Sequence, residues 1–251
     1  MYSLEKIMEI RIQKYIADCG VMSRRSVERE IEAGNIKVNG EYATIGQKID
    51  PRRDVVTYKG KKITDNISHK TYVMLNKPKG YVTTLSDEKD RKCIKELITG
   101  VKERVYPIGR LDMNSEGLLL LTNDGELTNI LTHPKHDVAK VYLVRVKGVV
   151  DNKTLVKLGQ PMDIDGYTIK PVKVVKIRDN ENSTLLSFEL HEGRNRQIRK
   201  MCESCELGVL SLKRISEGKL LLGDLPTGKW RYLTRDEVKY LTSIGKEETE
   251  N

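Results

Sequence analysis

Ile108-Gly109-Arg110-Leu111-Asp112-Met113-Asn114-Ser115-Glu116-Gly117-Leu118-Leu119-Leu120-Leu121-Thr122-Asn123-Asp124-Gly125 is the stretch from which the rest of the chain can be read. The four leucines form a run too short for a typical helix, and they read as a buried strand. Asp112 precedes them on a turn bounded by Gly109 and Gly117, a place where a carboxylate can meet a ligand rather than bulk solvent. Asn123-Asp124-Gly125 closes the strand with turn chemistry. On spacing alone Asp112 is a candidate catalytic acid, and equally a turn residue that accepts backbone hydrogen bonds.

Composition narrows the setting. At 251 residues the chain is long enough for two domains, and with 5% aromatics its core must rest on Leu, Ile and Val. No apolar run approaches the roughly 18–20 residues needed to span a bilayer. Met1 to Met8 carries Glu5 and Lys6 without an apolar core, so no secretory signal is expected and the cytosol is the expected compartment. A net charge of +9, spread over both parts of the chain, favours a polyanionic partner. Cys202 and Cys205 alone approach metal-ligand spacing, and no second C-x-x-C or paired His motif accompanies them. No P-loop or dinucleotide fingerprint occurs.

Working outward toward the N-terminus, Glu9 to Cys19 shows helical spacing and ends at Gly20. Ser23 caps a second helix, Arg24 to Ala33. Ile36 to Val38 followed by Asn39-Gly40 predicts a hairpin. Arg24 and Arg25 sit where the helix dipole disfavours cations, which suggests an anion nearby. The polar stretch 56–68 reads as a linker. Beyond it, Tyr72 to Leu75 and Tyr81 to Thr83 read as strands around Asn76-Lys77-Pro78-Lys79-Gly80, and Arg91 to Ile98 as a helix.

Toward the C-terminus the spacing predicts a helix over Glu126 to Leu131, a strand over Val141 to Val146 and a helix over Asp151 to Leu158. Strands follow over Tyr167 to Ile177 and Thr184 to Leu190. Glu192 to Met201 opens a helix expected to run through Glu206. It carries Arg194, Arg196, Arg199 and Lys200, with Ile198, Met201 and Cys202 interleaved, so one side must be buried. A last helix spans Arg235 to Ile244.

The opening string closely resembles the catalytic signature of the RNA pseudouridine synthases of the RsuA/RluB kind, in which the Asp of G-R-L-D, here Asp112, is the essential residue. Ser115 stands where that family more often has Thr. Three further motifs follow the family's order: Lys77-Pro78-Lys79-Gly80-Tyr81, the K-x-Y of Lys140 and Tyr142, and the Q-I-R ending at Arg199. The stretch Glu9 to Val55 resembles the small RNA-binding module first known from a ribosomal small-subunit protein, the S-four module.

These resemblances imply an α+β protein: a small α/β RNA-binding domain (9–55), the linker (56–68), a catalytic domain (69–244) on a mainly antiparallel sheet with flanking helices, and a frayed tail (245–251). They imply isomerisation of uridine to pseudouridine in ribosomal RNA, free or in an assembling subunit, by a monomer with neither cofactor nor metal. Asp112 would attack or deprotonate the sugar, Arg199 would pair with Asp112, and Tyr142 would stack on the extruded base. Leu212 would line the uracil pocket, and Lys77, Arg110, Arg194, Asn195, Arg196 and Gln197 would contact substrate. Arg24, Arg25, Arg29 and Lys37 would meet RNA phosphates. The rival reading is an RNA-binding assembly factor on the same fold without catalysis, to which Asp112, Tyr142 and Arg199 together would be superfluous.

Overall fold

The computed structural model of the protein describes residues 9–64 and 69–245. The end of the expected linker, the tail beyond Gly245 and Met1 to Met8 lie outside them. The chain divides into two compact units, Met1–Thr71 with Lys102–Arg104, and Tyr72–Val101 with Val105–Asn251.

The first unit carries β1 (Ile10–Arg11), α1 (Ile12–Asp18), α2 (Arg24–Glu32), β2 (Ile36–Val38), β3 (Glu41–Tyr42), β4 (Lys48–Ile49), β5 (Val56–Tyr58) and β6 (Lys61–Lys62). The first helix starts later than its spacing predicts, because Ile10 and Arg11 pair with Ile49 and Lys48. Ser23 caps α2 by accepting from the Ser26 amide at 3.1 Å. The Asn39-Gly40 turn joins β2 to β3 with both residues at positive φ, as the hairpin motif requires.

The described part of the segment expected to be a linker, 56–64, is instead part of this fold. Val56–Tyr58 pairs with Ile36–Val38, and Lys61–Lys62 returns on it through a Lys59-Gly60 turn at φ 47 and 77. Val56 and Ile63 are buried with Ile12, Ile16, Val27 and Ile36 in one core, so the module extends at least to Ile63. So small a unit needs that apolar surface.

The second unit contains β7 (Tyr72–Lys77), β8 (Tyr106–Ile108), β9 (Glu116–Thr122), α3 (Gly125–Thr132), β10 (Lys140–Lys147), α4 (Asn152–Gly159), β11 (Asp163–Ile164) and β12 (Tyr167–Thr168). It continues with β13 (Lys173–Asn180), β14 (Ser183–Leu190), α5 (Gln197–Glu203), β15 (Val209–Glu217), β16 (Leu220–Leu221), β17 (Trp230–Tyr232) and α6 (Arg235–Ser243). Its main sheet runs β13-β14-β10-β15-β9-β7-β17, with β16 beside β15 and β8 beside β9. Every pairing is antiparallel except that of β15 with β9, which is parallel over only two positions, Lys213 opposite Glu116 and Arg214 opposite Gly117. The expected mainly antiparallel α+β architecture is what the chain adopts.

The leucine run becomes β9, and its continuity has a physical cause. Leu118 and Leu120 face one core with Met74 and Leu127, while Leu119 and Leu121 face another with Val73, Leu75 and Val105. A strand covered on both faces has no polar alternation. By contrast β14 alternates, with Thr184, Leu186, Phe188 and Leu190 buried and the residues between them partly exposed. The three apolar ones meet Val144, Ile198, Met201 and Leu212 in a third core beneath α5.

Some expected elements differ. Tyr81 to Thr83 is not a strand: Val82 makes one isolated bridge to Cys93. The expected helix over Arg91 to Ile98 is a single 3-10 turn, Ile94–Leu97. Pro171 lacks an N–H for the ladder, and the expected strand from Tyr167 to Ile177 is split into β12 and β13 around it. The helix α5 stops at Glu203 rather than Glu206, which lies at φ 59.

Candidate active site

The loop Gly109 to Ser115 is held from beneath. Lys77 is entirely buried, and its ammonium donates to the carbonyls of Pro78 (3.0 Å), Asp112 (3.0 Å) and Ser115 (2.8 Å). Its three donors are spent on backbone, so the expectation that Lys77 contacts substrate is corrected: it positions the loop. Burial pushes its pKa down to about 8, against the pull of Asp112 and Glu116. Thr83 Oγ1 donates to the Leu111 carbonyl at 2.6 Å, the Gly80 amide donates to the Met113 carbonyl at 2.8 Å, and the Ser115 amide closes the turn onto Asp112.

The side chain of Asp112 is 34% exposed and looks into a cleft. Arg196 Nη1 stands 3.7 Å from its Oδ2 and Arg199 Nε 3.9 Å. Arg199 and Asp112 are therefore neighbours as expected, but their contact is looser than a hydrogen bond. Arg199 is fixed instead by donating to the Asn114 carbonyl at 2.8 Å, while its Nε is buried without a hydrogen-bond partner. Burial and the adjacent Arg196 depress its pKa, and Asp112 partly offsets them.

Tyr142, Leu190, Ile198 and Leu212 supply the apolar side of the cleft, and Arg110, Gly193, Arg194 and Gln197 complete its rim. Asn195 is exposed outside this lining and accepts from Lys200 at 3.5 Å. Gln197 is buried, accepting from the Arg194 amide and donating to Glu192, so it staples the turn that aims Arg194. Arg196, at φ 52, caps α5 and turns its guanidinium toward Asp112.

Sequence reading missed the charges behind Tyr142. Arg214 is 2% exposed and Glu217 1%, with Arg214 Nη2 3.5 Å from Glu217 Oε2 and Lys140 3.7 Å from Glu217 Oε1. Arg214 Nε donates to the Leu118 carbonyl at 2.7 Å, tying β15 to β9. Burial raises the Tyr142 pKa, and the neighbouring Arg214 opposes it. The available signal was the strand parity that places Arg214 on the same face as buried Leu212 and Ser216.

In the first unit Arg24, Arg25 and Arg29 are exposed on α2, with Arg29 donating to Ser26 at 3.3 Å. Lys37 Nζ lies 4.5 Å above the Tyr42 ring. Cys202 is buried with its thiol pushed up to about 12, and Cys205 is free. Among the described residues no three His, Cys, Asp or Glu side chains gather as a metal site would. No helix there is long and apolar enough to cross a membrane.

Comparison with known proteins identifies the family. Residues 71–204 match the RNA pseudouridylate synthase family. The chain is 43% identical over 94% of its length to an uncharacterised RNA pseudouridine synthase of Aquifex aeolicus, covering 94% of that protein. It is 38% identical over 93% of its length to the ribosomal large subunit pseudouridine synthase B of Bacillus subtilis, covering 96% of it. The dual-specificity RNA pseudouridine synthase RluF of Escherichia coli O157:H7 is 39% identical over 91% of this chain and 77% of its own. A crystal structure of a pseudouridylate synthase superposes with a TM-score of 0.66 at 28% identity, over 92% of this chain and 99% of that one. The chain belongs to the RNA pseudouridine synthases of the RsuA/RluB type.

Proposed function

We propose that the protein isomerises a specific uridine of ribosomal RNA to pseudouridine, with Asp112 as the catalytic carboxylate. The observation that carries this reading is the placement of Asp112, half-open to the cleft between Arg196 and Arg199 and on a loop that Lys77 braces from below. The reaction breaks the bond between the sugar and a ring nitrogen and makes one to a ring carbon; the carbon gives up its proton and the freed nitrogen takes one up, so the base is isomerised with no net change. Asp112 acts at the sugar, and the two arginines offer positive charge to the anion there. Tyr142 and Leu212 present an apolar wall against which a base can lie once it has left its stack. Action as a monomer in the cytosol is part of this proposal. The name of the Bacillus relative supports ribosomal RNA as the partner, and the proposal takes that RNA either free or in an assembling subunit.

We assign the first unit to RNA binding as an S-four-type module, with Arg24, Arg25, Arg29 and Lys37 meeting phosphates. The rival, a binding factor without catalysis, is separated by Asp112→Asn, which keeps volume and removes the anion. The variant is expected to bind ribosomal RNA fragments with near-unchanged affinity and to form no pseudouridine. Normal turnover by it would refute the assignment, and an inactive parent protein on every ribosomal RNA fragment would favour the rival.

A further inference from the structure

The β11–β12 hairpin, Asp163 to Thr168, turns at Asp165 and Gly166 and is anchored by buried Ile164. It leans against the loop that follows β14. Lys200 pairs with Asp165, and Glu192 Oε1 accepts from the Lys170 amide at 3.4 Å and from Gln197 at 3.3 Å. One ion pair at the turn of the hairpin and one hydrogen bond just beyond its end therefore hold it at the rim of the cleft. At the point where the two meet, Arg194 lies over the Tyr167 ring, 3.0 Å from its centroid. Tyr167 is 37% exposed and the Arg194 side chain 44% exposed, so neither is spent on the core.

Arg194 belongs both to this stack and to the lining of the cleft that holds Asp112. A flat guanidinium held on an exposed aromatic offers a π-face and a positive charge together, the pair that single-stranded nucleic acid uses for its bases and phosphates. Glu192, 3.5 Å from Arg194 Nε, and Gln197, which accepts from the Arg194 amide, fix the direction in which that face points. We propose that Tyr167 and Arg194 form a subsite that stacks one unpaired nucleobase flanking the target uridine, and that this contact contributes to the choice of site. The inference rests on the RNA-modifying function above, since only a strand already in the cleft brings such a base to it. Tyr167 touches no reacting atom, so it acts on binding and selection.

The test uses the full-length protein and ribosomal RNA fragments that the parent protein converts. Tyr167→Ala is expected to raise KM on the order of tenfold or more, as removal of one stacked base does, with kcat and melting temperature unchanged. Tyr167→Phe is expected to behave as the parent. A set of fragments with one abasic nucleotide at each position around the target identifies the partner. One abasic position is expected to weaken the parent protein by the same factor and to leave Tyr167→Ala unaffected. Equal KM for parent and Tyr167→Ala, or an abasic penalty of the same size in both, would overturn the proposal. If the parent protein converts no fragment, it is the function reading that fails, whereas conversion by both proteins with equal KM defeats the subsite alone.

Discussion

Lys77→Met tests how the loop bearing Asp112 is held. The ammonium makes three bonds to backbone carbonyls from a fully buried position. Hydrogen bonds to a charged group are each worth about 1.5–3 kcal/mol, which gives roughly 5–9 kcal/mol before costs. Against this stands the cost of burying the charge. A pKa lowered from 10.5 to about 8 corresponds to about 3 kcal/mol. Lys77→Met is therefore expected to cost about 2–6 kcal/mol of stability. Release of the loop should also lower kcat about 100-fold, the effect of displacing a catalytic group by an ångström or so.

The pH dependence carries a sign that simple damage does not. Below pH 8 Lys77 is protonated in the folded and unfolded chains alike, and its burial cost is carried in full. Between pH 8 and 10.5 the folded chain gives up the proton first, so the unfolded chain binds more protons and stability from this group rises with pH. The parent's advantage over Lys77→Met should therefore grow by about 2.5 kcal/mol between pH 7 and about 10. Urea titrations at several pH values across that range, beside single-turnover pseudouridine assays, measure both effects. An advantage that stays flat or shrinks with pH, or a variant of unchanged kcat, refutes the reasoning.

Gly117→Ala places a Cβ 2.2 Å from the Arg214 carbonyl oxygen at a φ of 105. Backbone strain and overpacking together should cost about 2–5 kcal/mol, and a melting curve like the parent's would contradict that close approach. Arg199→Ala removes a bond to the Asn114 carbonyl, worth about 1.5–3 kcal/mol, together with activity. Because Arg199 is 3.9 Å from a half-open Asp112, its coupling to Asp112→Asn in a double-mutant cycle should stay below about 1 kcal/mol. A coupling of about 3 kcal/mol or more would show a tight buried pair instead. Replacing Arg24, Arg25 and Arg29 by Gln should lower the slope of log affinity against log salt by about 0.7–0.9 for each phosphate that is no longer neutralised, and an unchanged slope would exclude α2 from the RNA.

The strand at Leu118 to Leu121 was legible because four leucines after a glycine-bounded acid admit few local structures. The α2 cap and the Asn39-Gly40 hairpin were legible because their chemistry lies within a few residues of chain. Val56 to Lys62 was not, since such short strands carry no periodicity. Tyr81 to Thr83 shows the opposite error: strand-forming residues found no ladder beyond one bridge to Cys93. At the site, Asp112, Tyr142, Arg199 and Leu212 were readable through motif order, and they line one cleft. The true partners of Lys77, three carbonyls as far as 38 residues away, are invisible to local pattern, and so is the stacking of Arg194 on Tyr167.

The parallel join of β9 and β15 divides the machinery as a book's spine divides two leaves. Asp112 leads into β9 on one leaf, whereas Tyr142 on β10, Leu212 on β15 and Arg199 on α5 ride on the other. Each leaf has a core of its own, and Tyr142 packs against both. The gap between carboxylate and aromatic ring is thus gauged by two paired positions, the Arg214 bond to Leu118, the Arg199 bond to the Asn114 carbonyl, and a glycine thin enough to let the backbones touch. Substitutions deep in either leaf can drain stability while the gauge holds its setting. A change at the spine moves the jaws as well as costing stability, so catalytic alignment can fail at a loss of stability that either leaf would absorb with its chemistry intact.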